Sequence, residues 1–386
     1  MNAEHFHYFD HNATTPVAPE VVAAMLPLFS EWWGNPSSAY RFAHEISRRV
    51  DLAREQVATL LGAEPGEIVF TSCGTESNNT ALHSALQTHP DRRHIVTTAV
   101  EHSANLKCCE ALQRRGYEVT FLPVSAAGTL DLAGLERAIR PDTAIVSVML
   151  ANNETGVIFP VAEVAAICRR RGVLCHTDAV QAPGKMPLGV RALGVDFLSL
   201  SAHKLNAPKG IGLLYVRRKT RFQPYLVGGH QERGRRGGTE NVPYIVGFGR
   251  AAELAMSRLE EENTRVRALR DRLENTVLAT IPSAFRNGAA QPRLPNTTNL
   301  GFAGIESEAA LMLLDQLGIC ASAGSACTTG SLEPSHVLAA MGIEAARARS
   351  SLRFSLGVEN TTEDVDYLLQ HLPVVIAKLR ALSPTV

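Results

Sequence analysis

Three short segments carry residue types and spacings that suit one chemistry. In LSLSAHKLNAPKGIG a strand-like run leads into Ser201, Ala202, His203 and Lys204 and then into Pro and Gly. Lys204 therefore falls at the carboxyl end of a strand, the edge at which open α/β sheets bind ligands. A lysine there is either a solvated loop residue or a Schiff-base lysine, and the second role needs a short rigid tether and a partly dry site that lowers its pKa. Ser201 and His203 add donors beside it. In LCHTDAVQ, Asp178 ends a second apolar run. A carboxylate is costly to bury unpaired, so Asp178 needs a cation. A structural ion pair satisfies it; so does a protonated pyridine nitrogen, which keeps pyridoxal phosphate an electron sink. In IVFTSCGTES a strand, a Gly turn and a helix start offer backbone N–H groups and the Thr75 hydroxyl to a phosphate, although an S/T-x-x-E pattern also simply caps helices.

The elements that position these segments follow from periodicity. Between Glu67 and Val216, the runs EIVFTS, HIVTTAV, YEVTFLPV, TAIVSVML, VLCHTDAV, DFLSLS and GIGLLYV alternate with helix-like stretches at 76–87, 105–115 and 161–171. That alternation predicts an α/β fold with a mainly parallel sheet covered by helices on both faces. Beyond Pro243 a charged amphipathic stretch without internal Pro predicts one long helix to about Ile281. After Pro282 an extended NTTNLGF run, a helix from Glu306, a Gly/Ala/Ser-rich loop, SLRFSLG as a strand and a closing helix predict a smaller α+β domain. The expected division is a large domain over 16–258, with 1–15 and 259–386 forming the small one.

Composition narrows the function classes. A chain of 386 residues with 45% hydrophobic and 20% charged residues is neither disordered, collagenous nor a disulfide scaffold. Its formal net charge of +0 creates no global field for nucleic acid or an anionic membrane. The opening MNAEHFHYFD lacks a signal peptide's apolar core, and no apolar run approaches the roughly 20 residues of a spanning helix. With seven cysteines, an odd number, a disulfide framework is not expected. A cytoplasmic location is the expectation, and no metal site is expected.

The seven thiols differ in setting. Cys168, Cys175 and Cys320 sit in apolar contexts, Cys108 and Cys109 on a crossover helix, and Cys73 beside the Gly turn. Buried cysteines behave as small hydrophobes. Cys327 instead lies among Gly324, Ser325, Ala326, Thr328, Thr329 and Gly330, too poor in apolar mass to anchor itself. Such a loop can carry a thiol to and from a site.

On these residues the chain resembles the NifS-type cysteine desulfurases, which are pyridoxal-phosphate enzymes of fold type I in the class V aminotransferase superfamily. The similarity runs in order through YFDHNATT, GNPSS, TSCGTES, ANNETG, HTDAVQ, SAHK, GGHQERGRRGGTEN, GSACTTGSLEPSHV and LRFSLG. The resemblance implies that Lys204 carries the cofactor and Asp178 pairs with its ring nitrogen. It further implies that Gln181 approaches the ring hydroxyl, that His102 stacks on the ring, and that Asn153 sits near ring and substrate carboxylate. Gly74, Thr75, Ser201 and His203 would cradle the phosphate, with Thr239 reaching the phosphate of the other subunit of a homodimer. Arg233, Arg235 and Arg236 form either a solvated basic loop or a structural or substrate-entry element. Arg353 would bind the carboxylate of L-cysteine, since an Arg offers a bidentate fork, although a plain salt bridge is its alternative. Cys327 would take the sulfur as a persulfide, leaving alanine and passing sulfur to an iron–sulfur scaffold or other acceptor protein, in nitrogen fixation or general cluster assembly. A class V aminotransferase would use Lys204 and Arg353 without needing Cys327, and a selenocysteine lyase would run nearly the same elimination. Cys327→Ser is expected to keep cofactor binding and lose sulfide production from L-cysteine. Alanine and sulfide released at the wild-type rate would show that another thiol takes the sulfur.

Overall fold

The computed structural model describes residues 6–288, 292–323 and 334–382. Its strands are β1 (His7–Tyr8), β2 (Ile68–Thr71), β3 (His94–Thr98), β4 (Glu118–Leu122), β5 (Thr143–Ser147), β6 (Leu174–Asp178), β7 (Phe197–Ser201), β8 (Gly212–Val216), β9 (Ala284–Arg286), β10 (Thr297–Phe302), β11 (Ile319–Cys320) and β12 (Ser351–Ser355). Seven of them form one sheet in the order β2-β8-β7-β6-β5-β3-β4. All neighbours are parallel except β8, which runs antiparallel to both β2 and β7. Each of the seven runs expected from the sequence contains one of these strands.

Side chains alternate across this sheet with the period of two that a pleat imposes. Val69 and Ile145 belong to an apolar cluster with Leu82, Leu86 and Leu112, from helices Gly74–Thr88 and Ser103–Arg114. Their neighbours Ile68, Phe70 and Val146 join the opposite cluster, with Val57, Val164 and Phe248 from helices Arg41–Leu61, Val161–Arg171 and Val242–Ser257. Helices thus cover both faces, and the central strands, buried on both sides, read as nearly continuous apolar runs.

A separate apolar cluster gathers Phe9, Leu273, Leu300, Phe302, Leu352, Phe354, Leu368 and Leu372. It lies between the antiparallel sheet β12-β10-β9 and helices Arg267–Thr280 and Thr362–Leu382. The short pair β1-β11 brings the start of the chain to Ile319 and Cys320. On β12, Leu352 and Phe354 face this core, which turns Arg353 to the other side.

The single long helix expected beyond Pro243 is not what forms. The first helix ends at Ser257, a short turn Leu259–Glu261 comes next, and a π-helical turn spans Glu262–Val266 before another helix begins at Arg267. The extra residue of a π turn rotates the helix beyond it, and here Val266, Leu269, Leu273 and Val277 face the second core. No Gly or Pro marks the break, so the 3.6-residue pattern could not reveal it. The 21-residue helix Arg41–Leu61 has no counterpart among the sequence expectations either.

One buried ion cluster ties helix Arg267–Thr280 to the second sheet. Glu274, 2% exposed, accepts from Arg293 at 2.6 and 2.7 Å, from Arg286 at 2.8 Å and from Thr298 at 2.6 Å. Burial pushes this carboxyl up, but the hydrogen bonds from Arg293, Thr298 and Arg286 outweigh it and bring the pKa from 4.5 down to about 2. A depressed carboxylate stabilises the fold above its unfolded pKa, and the contribution disappears as pH falls from 4.5 towards 2. Glu274→Gln leaves the buried Arg293 with only the longer pair to Asp271 at 3.9 Å and should cost about 3 kcal/mol at neutral pH. Urea denaturation of both proteins from pH 7 downwards checks this, with the gap between them closing in acid.

Candidate active site

Parallel strands end at one edge of the sheet, so residues far apart in sequence converge there. β2 leads into Cys73–Thr75, β3 into His102, β5 into Asn153, β6 ends on Asp178 and continues to Gln181, and β7 runs into Lys204. Together with Arg353 they border a cavity of ≈ 210 Å³. Gly74, Thr75, Gln181, Ser201 and His203 line the same cavity.

One end of the cavity is the amino terminus of helix Gly74–Thr88. Cys73 gives this helix no side-chain cap, so first-turn N–H groups are left to an outside acceptor. Gly74 is required by close approach: a Cβ there would stand 2.9 Å from Val180 Cγ2 and 3.4 Å from the Ser201 Cβ. The turn therefore nests against the ends of β6 and β7. An oxyanion bound here meets backbone donors and the positive end of a helix dipole.

Asp178 is 6% exposed. Its Oδ2 accepts from Asn78 Nδ2 at 2.7 Å and its Oδ1 from the Val180 N–H at 3.0 Å. These two bonds fix the carboxylate plane without neutralising its charge, which leaves it suited to a cationic ring N–H. Gln181 Nε2 donates to the Asn12 carbonyl at 3.0 Å, while its buried Oε1 has no partner. The buried Asn153 Oδ1 is likewise without one. Buried polar atoms are normally satisfied, and orphaned atoms around one cavity mark where a bound group supplies the missing donors.

Lys204 Nζ donates to the carbonyls of Asn12 at 2.5 Å and Ala13 at 2.6 Å. The amine is held at the cavity wall by the N-terminal segment, within the setting a carbonyl-trapping lysine needs. His203 bonds Thr14 Oγ1 through Nδ1 at 3.1 Å, and burial, followed by the charge of Lys204, lowers it to about 4. His102 caps helix Ser103–Arg114, its Nδ1 accepting from the Ala104 N–H at 3.1 Å. That bond leaves the ring proton on Nε2. Burial lowers its pKa, Asp178 raises it, and Lys204 and His336 lower it further.

Arg353 is 1% exposed. Its Nη2 bonds Asp10 Oδ1 at 2.7 Å and its Nη1 the Asn153 carbonyl at 3.0 Å, while Nε is buried without a partner. The guanidinium therefore keeps one N–H, at Nε, without a protein acceptor. Burial holds the Asp10 carboxyl above the usual carboxylate range, and Arg353 offsets this only in part.

One expected site residue stands apart from this assembly, and another cannot be placed in or out of it. Thr239 is exposed and borders a different cavity of ≈ 230 Å³ with Ser72 and Arg236. Cys327 lies outside the described residues. Of the three loop arginines, Arg235 bonds the Ile68 carbonyl and Arg236 pairs with Glu76 at 2.9 Å, whereas Arg233 is exposed. Reasoning from residue types missed Asn78, Asp10, Asn12 and Ala13. Asn78 was legible in principle, one turn into the helix that succeeds TSCG. The carbonyls of Asn12 and Ala13 carry no side-chain signal at all.

Comparison with known proteins bears on this geometry. Residues 7–368 match the family Aminotransferase class-V. A cysteine desulfurase of Trichormus azollae is 54% identical over 377 residues, covering 98% of this chain and 94% of its own length. A solved NifS-like protein superposes with a TM-score of 0.91 at 39% identity, over 97% of this chain and 100% of its own. A structure described as SspA in complex with cysteine gives a TM-score of 0.81 at 36% identity, over 90% of this chain and 98% of its own.

Proposed function

The chain belongs to the class V aminotransferase family and, within it, to the cysteine desulfurases, and on that premise we propose how its own residues take sulfur from L-cysteine. The observation that carries the reading is the single cavity in which Lys204, Asp178 and a helix amino terminus stand together with unsatisfied buried oxygens. The residues fit pyridoxal phosphate. Gly74, Thr75, Ser201 and His203 would hold its phosphate, Asp178 its ring N–H, Gln181 the ring hydroxyl, His102 a ring face and Lys204 its aldehyde carbon. When bound, this cofactor supplies an electron sink for the bonds at the substrate's Cα and Cβ.

Each residue then has a task. Arg353 receives the substrate carboxylate beside Asn153. Asp178, fixed by Asn78 and the Val180 N–H, keeps a proton on the ring nitrogen. His102, its pKa lowered by burial, presents a neutral ring at neutral pH. Lys204 Nζ would take the proton from Cα of the bound substrate and return a proton to Cα as alanine forms. The Cys327 thiolate forms an S–S bond to the substrate Sγ as the Cβ–Sγ bond breaks; the released pair stays on Cβ and is protonated to the methyl group of alanine. The persulfide sulfur passes to a thiol of an acceptor protein, an iron–sulfur scaffold in this reading, with nitrogen fixation one destination.

The same reading takes the protein as a cytoplasmic homodimer in which Thr239 serves the neighbouring chain's phosphate site. It divides the chain into a large body over 16–258 and a small one over 1–15 and 259–386. Among the described residues no helix is long and apolar enough to cross a membrane.

Reduction of the purified yellow protein with borohydride and subsequent peptide mapping should place the cofactor label on Lys204; a label on Lys185 or Lys209 would overturn the assignment. Incubation with L-cysteine and a thiol reductant should yield alanine and sulfide in equal amounts. Lys204→Ala should lose both the bound colour and the products, and a variant that retained turnover would refute the role of this amine.

A further inference from the structure

Strand β2 is an edge of the large sheet, paired with β8 on one side only. Its other side presents backbone groups that need partners. They find them in a buried ion pair. Arg54, from helix Arg41–Leu61, bonds Glu232 through Nη2–Oε1 at 2.6 Å and Nη1–Oε2 at 2.8 Å. Arg54 Nη1 also donates to the Ile68 carbonyl at 3.1 Å, and the Phe70 N–H donates to Glu232 Oε2 at 2.9 Å. The guanidinium lies over the Phe70 ring, 4.7 Å from its centroid. Arg54 and Glu232 are 7% and 6% exposed.

This pair holds a loop in a conformation that it would not adopt unaided. Glu232 and Arg233 sit consecutively in the left-handed region, at φ 49° and 59°, where side-chain-bearing residues are disfavoured. The two limbs of the loop cross at Gly228 and Gly237 so closely that a Cβ on Gly237 would stand 2.6 Å from Gly228 Cα. The Gly237 N–H closes the loop on the Leu226 carbonyl at 2.9 Å. Thr239 lies just beyond this crossing. It is exposed and away from the Lys204 cavity of its own chain, so the loop leaves this residue open to a neighbouring molecule.

We propose that Arg54 and Glu232 are positioning residues for the active site of the neighbouring subunit: they hold the 226–239 loop so that Thr239 meets the partner's cofactor phosphate, and they govern cofactor retention across the dimer and not within their own chain. The proposal rests on the reading of Thr239 given above. It goes further by assigning the function of a buried pair that touches neither substrate nor cofactor.

Mixed dimers separate action across the dimer from action within a chain. Arg54→Lys keeps the charge but loses the bidentate fork, and Glu232→Gln, nearly isosteric, repeats the experiment should the first variant fold poorly. Each homodimeric variant should show a Kd for pyridoxal phosphate raised about tenfold, read by absorbance titration. Two mixed dimers are then prepared with differently tagged chains, each holding one intact Lys204. In the first, an Arg54→Lys chain faces a Lys204→Ala chain; in the second, a wild-type chain faces a chain carrying both substitutions. The readout is the cofactor that borohydride fixes to Lys204 after dilution. The first dimer should retain it as the wild type does and the second should lose it. The opposite pattern, or equal retention in both, overturns the proposal. Thr239→Ala in place of Arg54→Lys provides the reference. If Thr239→Ala fails to act across the dimer, the reading of Thr239 falls; if it does act so while both Arg54→Lys and Glu232→Gln do not, the inference alone falls.

Discussion

The segment Asp10–Thr15 lies against both the large sheet's edge and the second core, and the site's polar groups are fastened to it. Asn12 and Ala13 offer carbonyls to Lys204, and Asn12 offers the same oxygen to Gln181. Asp10 takes one end of Arg353, while Thr14 and Thr15 bond His203. The Asn12 side chain reaches the Asn153 carbonyl at 3.1 Å and Thr297 Oγ1 at 2.8 Å, and its N–H donates to Ser355 Oγ at 2.9 Å. Irregular backbone of this kind must find partners for its own N–H and C=O groups when buried. Here those partners come from β10 and β12 and from the segments after β5, β6 and β7. A polar network this extensive holds its members in place, and through it Asp10–Thr15 links the amine of Lys204 to the guanidinium of Arg353.

Burial gives the site its charge pattern. Desolvation lowers His102 and His203, so at neutral pH these imidazoles are uncharged, and Lys204 and Arg353 line the same cavity. Asp178 lines that cavity with them, and Asp10 bonds Arg353. Beneath the cavity a chain of buried polar side chains continues through the sheet: Ser199 to His176 at 2.9 Å, His176 to Ser147 at 2.8 Å, and Ser147 to Asn105 at 3.2 Å. Asn105 in turn reaches Glu101 at 3.2 Å. Glu101, fully buried, is pushed up to about 8 by desolvation against the hydrogen bonds from Thr98 and Met149. These groups keep the parallel strands in register where side chains of only one polarity would leave the amide and hydroxyl atoms unmatched.

The edge of the sheet poses the complementary problem. β4 ends one side and β2 the other, and an exposed strand edge invites pairing with another chain. On β2 the Arg54–Glu232 pair and Arg235 occupy the free backbone groups of Ile68 and Phe70. The same ion pair that occupies the edge also anchors Glu232, which with Arg233 takes the left-handed conformation in the loop leading to Thr239.

The seven strands of the large sheet, the crossover helices and the strand-end positions of Gly74, Asp178 and Lys204 were legible in the sequence. A strand's period of two, a helix's 3.6 and the Gly or Pro that ends each are local properties, and a parallel sheet brings such ends to one edge whatever its strand order. Tertiary structure alone decided the rest. The antiparallel placement of β8, the π turn at Glu262–Val266 and the pairing of Asp10 with Arg353 across 343 residues depend on which surfaces meet. Backbone carbonyls do much of the fastening around Lys204, and every residue has one. No residue type can therefore announce that its backbone oxygen faces the amine of one particular lysine, and only the folded chain brings Asn12 and Ala13 to Lys204.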